Sequence, residues 1–183
     1  MAADKIVLGI DPGTNIMGYG IIHIKDTKME LLVMGVLRLE KIEDQALKLK
    51  KIFERIVSLI DEYKPDELAI EAPFFGKNVQ SMLKLGRAQG VAIAGALSRN
   101  LTVNEYSPKK IKQSITGSGN ASKEQVSAML KTLLNFKENP EFLDATDGLA
   151  AAVCHHFQRK PGKAGKTYTG WKAFLAENPG KKV

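Results

Sequence analysis

The apolar positions change period along the chain, and the changes mark out its elements. Ile6-Val7-Leu8 followed by Gly9-Ile10 is a short apolar, β-branched run that ends on Asp11 and the turn pair Pro12-Gly13. Such a run predicts a buried strand with Asp11 at its C-terminal lip. Met17 to Lys25 predicts a second strand and Met29 to Leu39 a third, with a short polar link over residues 26–28. Three strands with short links predict an antiparallel meander. From Glu43 to Tyr63 the apolar residues recur at a 3.6 period (Ala46, Leu49, Ile52, Phe53, Ile56, Val57, Ile60), which predicts one amphipathic helix stopped by Lys64-Pro65-Asp66. Glu67 to Glu71 repeats the opening: an apolar strand with an acid at its end, then Pro73. Val79 to Arg99 predicts a helix with an Ala/Gly-rich face from Ala88 to Ala96, and Leu101 to Tyr106 another strand. A helical segment starts at Ser107-Pro108, residues 117–122 form a flexible break, and Ser122-Lys-Glu-Gln125 has the form of a capping box before a helix to Leu134. A last helix carries Asp144 and Asp147 and ends near Gln158. The strands that end at Asp11, Glu71 and Tyr106 can run parallel through right-handed crossovers.

Composition narrows the class without changing that picture. The chain has 183 residues, 44% hydrophobic and 26% charged, as expected of one globular domain with a single core. No stretch is long and apolar enough for a membrane span, and the start lacks a signal-peptide pattern, so a cytoplasmic protein without membrane partners is expected. A single cysteine, Cys154, excludes an internal disulfide framework. Cys154-His155-His156 is poorly spaced for a metal site and reads as a buried thiol beside two ordinary histidines. The net charge of +7 is concentrated at the C-terminus, where Phe157 to Val183 holds seven basic residues and one acid, leaving residues 1–156 at only +1. The expected organisation is a domain over 1–160 and a basic tail over 161–183, with Trp171, Phe174 and Leu175 spaced for a short docked helix. A basic tail by itself indicates only loose polyanion association.

The candidate chemistry lies in four acids. If the strands ending at Asp11 and Glu71 are adjacent and parallel, both carboxylates share one lip of the sheet, where ligands bind in such folds. Asp144 and Asp147 are spaced i, i+3 and share a helix face. Each has a plain alternative: Asp11 as a turn residue, Glu71 as a surface strand end, Asp144 as a helix cap with Asp147 as a first-turn acid. Together they form a cluster whose repulsion a hard divalent cation would neutralise, and oxygen-only ligands favour magnesium or manganese over zinc. Lys109, Lys110, Lys112, Lys123 and Lys131 surround the Gly-rich break and suit phosphate contacts, or simply a solvated face.

On these residues the chain resembles the RuvC-type Holliday-junction resolvases, the bacterial crossover junction endodeoxyribonucleases. The resemblance runs from about Ile6 to His156. It is carried by Gly9-Ile-Asp-Pro-Gly13, Gly18-Tyr-Gly20, Ala69-Ile-Glu71, Lys77-Asn78, Leu83-Lys-Leu-Gly86, Arg87-Ala-Gln-Gly-Val-Ala-Ile93, Lys112-Gln113, Gly117-Ser-Gly119 and Asp144-Ala-Thr-Asp147-Gly-Leu-Ala150. It implies an α/β, RNase H-like fold with a five-stranded mixed sheet flanked by helices, and a homodimer. It implies paired, symmetric, Mg²⁺-dependent nicks across four-way junction DNA in recombination and repair, and a junction branch-migration complex as partner. The family's catalytic, metal-holding acids match Asp11, Glu71, Asp144 and Asp147, with two Mg²⁺ per subunit and Mn²⁺ as substitute. Its junction-stacking aromatic matches Phe74, and two lysines used near the scissile DNA match Lys112 and Lys123. Phe75, Lys77 and Asn78 complete the expected DNA-binding set. The chain departs from the family at Pro73 and Phe75, so the resemblance implies the chemistry more firmly than a preferred cleavage sequence. Two other enzymes remain as alternatives: a related nuclease acting on RNA–DNA hybrids, and an actin-like ATPase lobe, which also opens with a Gly-Ile-Asp-x-Gly-Thr turn. A non-enzymatic binder of DNA structure is the third.

Overall fold

The computed structural model describes residues 4–26, 28–73, 78–136 and 143–159. Its elements run β1 (Lys5–Asp11), β2 (Ile16–Lys25), β3 (Lys28–Arg38), α1 (Gln45–Tyr63), β4 (Glu67–Glu71), α2 (Val79–Leu97), β5 (Thr102–Tyr106), α3 (Pro108–Thr116), α4 (Lys123–Leu134) and α5 (Leu143–Arg159). The five strands form one sheet in the order β3-β2-β1-β4-β5. β1, β2 and β3 make the expected antiparallel meander, while β4 pairs parallel with both β1 and β5. Ile10 is the register partner of Ile70, so the next residues along, Asp11 and Glu71, leave the sheet side by side.

Local signals account for the boundaries. Asp44 caps α1 by accepting from Leu47 N at 2.8 Å, and Lys64 closes it in a left-handed conformation with φ 49°. Ser107 caps α3 with Pro108 in its first turn, and Ser122 with Gln125 forms the capping box of α4. α5 starts one residue before Asp144, which therefore stands inside the first turn and is not the cap.

Alternation along β1 splits the core into two layers. Leu8 and Ile10 face α1 and α2 with Ile52, Ile56, Ala88, Ala92 and Ala96, while Val7 faces α3, α4 and α5 with Ile111, Val126, Leu149 and Val153. The Ala-rich face of α2 is thus internal packing. The opposite face of α2 exposes Val79, Leu83 and Leu97, and nothing lies within 4 Å of where a side chain would begin at Gly86 or Gly90.

α5 lies against the sheet at backbone contact distance. A Cβ on Gly9 would come 2.2 Å from the Gly148 carbonyl oxygen, and one on Gly18 would come 2.0 Å from that of Asp144. One on Gly20 would sit 2.6 Å from Leu149 Cα. Any larger residue at these positions would push α5 away and carry its acids off the sheet. Among the described residues no helix is long and apolar enough to cross a membrane. The basic tail expected over 161–183 lies outside the described residues, as do Trp171, Phe174 and Leu175.

Candidate active site

Asp11 and Glu71 project from neighbouring strand ends, and the glycine contacts set the first turns of α5 directly above them. The result is a cleft of about 190 Å³ lined by Asp11, Glu71, Asp147, Lys112 and Lys123, with Pro108, Ile111, Val126 and Ala150 as apolar walls. Asp144 stands at the outer margin, half exposed, while Asp147 keeps only 15% of its side chain accessible.

The apolar walls and the crowding of like charge act together on the acids. Asp11 is pushed up to about 7, first by burial and then by the charges of Asp147 and Asp144, with Lys123 opposing. Glu71 is pushed up to about 8 by burial and by Asp11 and Asp147, against Lys123 and Lys112. Asp147 is also raised, because burial outweighs its hydrogen bond to Lys123. These shifts are those of carboxylates held where their own charge is unwelcome.

Lys123 answers part of that charge. From the first turn of α4 its ammonium donates to Asp147 at 2.5 Å and lies 3.7 Å from Asp144. Burial lowers the Lys123 pKa, but the Asp147 hydrogen bond and the pull of Asp147, Asp11 and Asp144 more than compensate, so the amine is held above its ordinary value. The donor set is all oxygen, its repulsion calls for positive charge, and an ammonium already supplies some. A hard divalent cation fits that environment. Among the described residues no three His, Cys, Asp or Glu side chains are gathered tightly enough to close a metal cage alone.

The expected DNA-binding residues separate. Lys112 and Lys123 line the cleft. Asn78 caps α2, its side-chain oxygen accepting from Ser81 N at 3.0 Å, which gives it a structural task the sequence reading did not assign. Phe74, Phe75 and Lys77 lie outside the described residues.

Two features escaped the sequence. Lys48 on α1 is buried, and its ammonium donates to the Thr14 carbonyl at 2.9 Å and to Asn15 Oδ1 at 3.3 Å, pinning the turn that follows Asp11. His155 has partners the sequence did not announce: only 3% exposed, it hydrogen-bonds both Tyr106 and Glu67. An amphipathic pattern marks Lys48 as polar, and neither residue has a spacing that announces its partners.

Comparison with known proteins shows the family. Residues 7–155 match the family model described as "Crossover junction endodeoxyribonuclease RuvC". The protein of that name from Cytophaga hutchinsonii is 64% identical over 178 residues, covering 97% of this chain and 88% of its own length. The one from Bacteroides fragilis is 59% identical over 178 residues, covering 96% and 95%. Among solved structures, Thermus thermophilus RuvC in complex with Holliday junction substrate superposes with a TM-score of 0.78 at 31% identity, over 84% of this chain and 94% of that one. The family match spans at least part of every strand and the positions of all four acids, which sets the opening Gly-Ile-Asp-Pro-Gly-Thr turn in a nuclease family and removes the ATPase-lobe alternative.

Proposed function

The chain belongs to the crossover junction endodeoxyribonuclease RuvC family, and from that membership we infer what each part of the cleft does. The protein is an endodeoxyribonuclease that resolves four-way DNA junctions in recombination and repair. The observation that carries the reading is the convergence of Asp11, Glu71 and Asp147 with Lys112 and Lys123 in one cleft at the strand ends.

Asp11, Glu71, Asp144 and Asp147 would hold divalent cations, Mg²⁺ by preference and Mn²⁺ as substitute, two per subunit. Glu71 would help hold one and the Asp144/Asp147 pair the other, with Asp11 contributing to both. Cations held there supply an activated water and stabilisation of the leaving oxygen of a phosphodiester. Lys112 and Lys123 draw the phosphate backbone to the cleft and place the scissile phosphate over the acids. The apolar walls bury Asp11 and Glu71, which strengthens the charge interactions beside them. Phe74, three residues beyond Glu71, stacks on a base unpaired at the crossover, a contact worth about 1–3 kcal/mol. Phe75, Lys77 and Asn78 complete the proposed DNA-binding set.

Paired nicks need two active sites on one junction, and the outward face of α2 offers the surface for a homodimer. Val79, Leu83 and Leu97 are 68%, 52% and 57% exposed there. Arg substituted at Leu83 should give a monomer by light scattering and replace paired nicks with unpaired ones. A cytoplasmic location and contact with a junction branch-migration complex complete the proposal.

The decisive assay is cleavage of a synthetic four-way junction against linear duplex, with and without Mg²⁺. Mg²⁺-dependent cleavage confined to the junction is expected. Equal cleavage of duplex, or of an RNA–DNA hybrid in preference, would overturn the reading.

A further inference from the structure

The face of the sheet that carries the active site at one end carries a second polar cluster at the other. Lys5 and Glu67 begin the two strands that Asp11 and Glu71 end. Side chains alternate along a strand, so Lys5, Val7, Gly9 and Asp11 share a face, as do Glu67, Ala69 and Glu71. On α5, His155 is eight residues beyond Asp147 and lies along the same side of the helix.

These residues form an unbroken chain of contacts. Lys5 Nζ pairs with one Glu67 oxygen and His155 Nε2 with the other. His155 Nδ1 lies 2.7 Å from Tyr106 Oη. A carboxylate oxygen only accepts, so Nε2–H donates to Glu67, while Nδ1 shares a hydrogen with the Tyr106 hydroxyl. Burial, and after it the neighbouring Cys154 and Glu67, raise the Tyr106 phenol, which keeps it a neutral donor.

Tyr106 leads back to the active site through its backbone. It is the register partner of Glu71, and its carbonyl accepts from Ala72 N at 2.8 Å. One partly buried chain therefore ties β1, which carries Asp11, to β4, which carries Glu71, to α5, which carries Asp147, and to the end of β5 beside Glu71.

We propose that His155 and Tyr106 are positioning residues that set the spacing of the catalytic acids by fixing α5 and the β4 lip against one another. This rests on the nuclease reading of the cleft. The glycine contacts fix how closely α5 approaches the sheet, but small flat surfaces leave the helix free to slide and turn. A directional hydrogen-bonded chain removes that freedom, and partners behind metal-holding side chains commonly matter about 10–100-fold for metal affinity or activity.

The test uses the full chain and Tyr106→Phe, which deletes one hydroxyl and keeps the ring, with His155→Leu and His155→Gln beside it. Mg²⁺ titrations of junction cleavage, junction affinity in EDTA, and melting temperature with and without Mg²⁺ are read on each. Tyr106→Phe is expected to raise the Mg²⁺ midpoint about tenfold and to shrink the Mg²⁺-induced rise in melting temperature, while junction affinity in EDTA stays near wild type. His155→Gln, which can still donate to Glu67, should be milder than His155→Leu. A Tyr106→Phe midpoint within about threefold of wild type, or a rate loss matched by the fraction unfolded, would overturn the proposal. Should the wild type fail to cleave junctions at all, the functional reading falls, and the Mg²⁺-induced change in melting temperature still decides the positioning role.

Discussion

Glu67 and Glu71 stand at opposite ends of one five-residue strand, on the same face, and the protein treats them in opposite ways. Glu67 is met by an ammonium and an imidazole, so its charge is compensated where it sits. Glu71 is pushed up to about 8 by burial and by Asp11 and Asp147, with lysines only partly offsetting them. The same contrast runs along β1 from Lys5 to Asp11 and along α5 from His155 to Asp147. A fold selected for stability alone would treat both ends as it treats the first. Uncompensated charge at one end marks the place where the missing partner is supplied from outside, by cation and phosphate.

The largest expected effect comes from the same chemical change made at both ends. Asp11→Asn should cost several kcal/mol of transition-state stabilisation, roughly a thousandfold in junction cleavage or more. Junction affinity should hardly change, because the phosphate contacts come from the lysines. In EDTA at pH 8 the same variant should melt higher than wild type, since an amide removes a repelled carboxylate. Glu67→Gln should melt lower, because it leaves Lys5 without its counter-charge. Melting shifts of one sign at both ends would break the contrast.

The pH dependence of stability sharpens it. Asp11, at about 7 in the folded protein, lies above its ordinary value of 3.8. Glu71, at about 8, lies above 4.5. Raised carboxylates bind protons more tightly folded than unfolded. Their contribution is therefore full below about pH 4 and is lost as pH rises through 4 toward 7 and 8. The metal-free protein should lose several degrees of melting temperature between pH 5 and pH 8.5. Mg²⁺ should restore it, with a larger increment at pH 8 than at pH 5.5. Calorimetry showing a flat profile without metal, or an equal increment at both pH values, would mean the acids are not in mutual repulsion.

The sequence revealed the two ends unequally, for a physical reason. The lip was legible because strand ends and helix faces are local: Asp11 and Glu71 each follow an apolar run, and Asp144 and Asp147 are three apart. The antiparallel meander, the capping box at Ser122 and the end of α1 at Lys64 were legible on the same grounds. The compensated end was not. His155 meets Glu67 across 88 positions and Tyr106 across 49, and no period in the chain encodes either distance. The glycines that seat α5 were visible as Gly9, Gly18, Gly20 and Gly148, but their purpose appears only when the helix lies on them. Asn78 was read toward DNA, and its position just before α2 also gives it a cap to make.

The smallest effect concerns which cations at the lip reach DNA. Each lysine that neutralises a phosphate releases counter-ion and steepens the fall of affinity with salt by about one unit on a log–log plot. Lys112 lines the cleft and makes no ion pair among the described residues, so Lys112→Ala should reduce the slope by nearly a full unit. Lys123 starts from a different position, with its ammonium on Asp147 and near Asp144. If cations take over those carboxylates when DNA binds with Mg²⁺, Lys123 is released to a phosphate and Lys123→Ala also removes about one unit. In EDTA the ammonium stays with Asp147, and the same substitution should leave the slope close to wild type. Lys5→Ala, at the compensated end, should leave it unchanged in both conditions. Fluorescence titrations of a four-way junction over a range of KCl measure all three. Asp11→Asn as background prevents cleavage in the Mg²⁺ arm. A full-unit loss for Lys123→Ala in EDTA would show that its pairing with Asp147 is too weak to compete with phosphate. The lip would then hold less uncompensated charge than the shifts at Asp11 and Glu71 require.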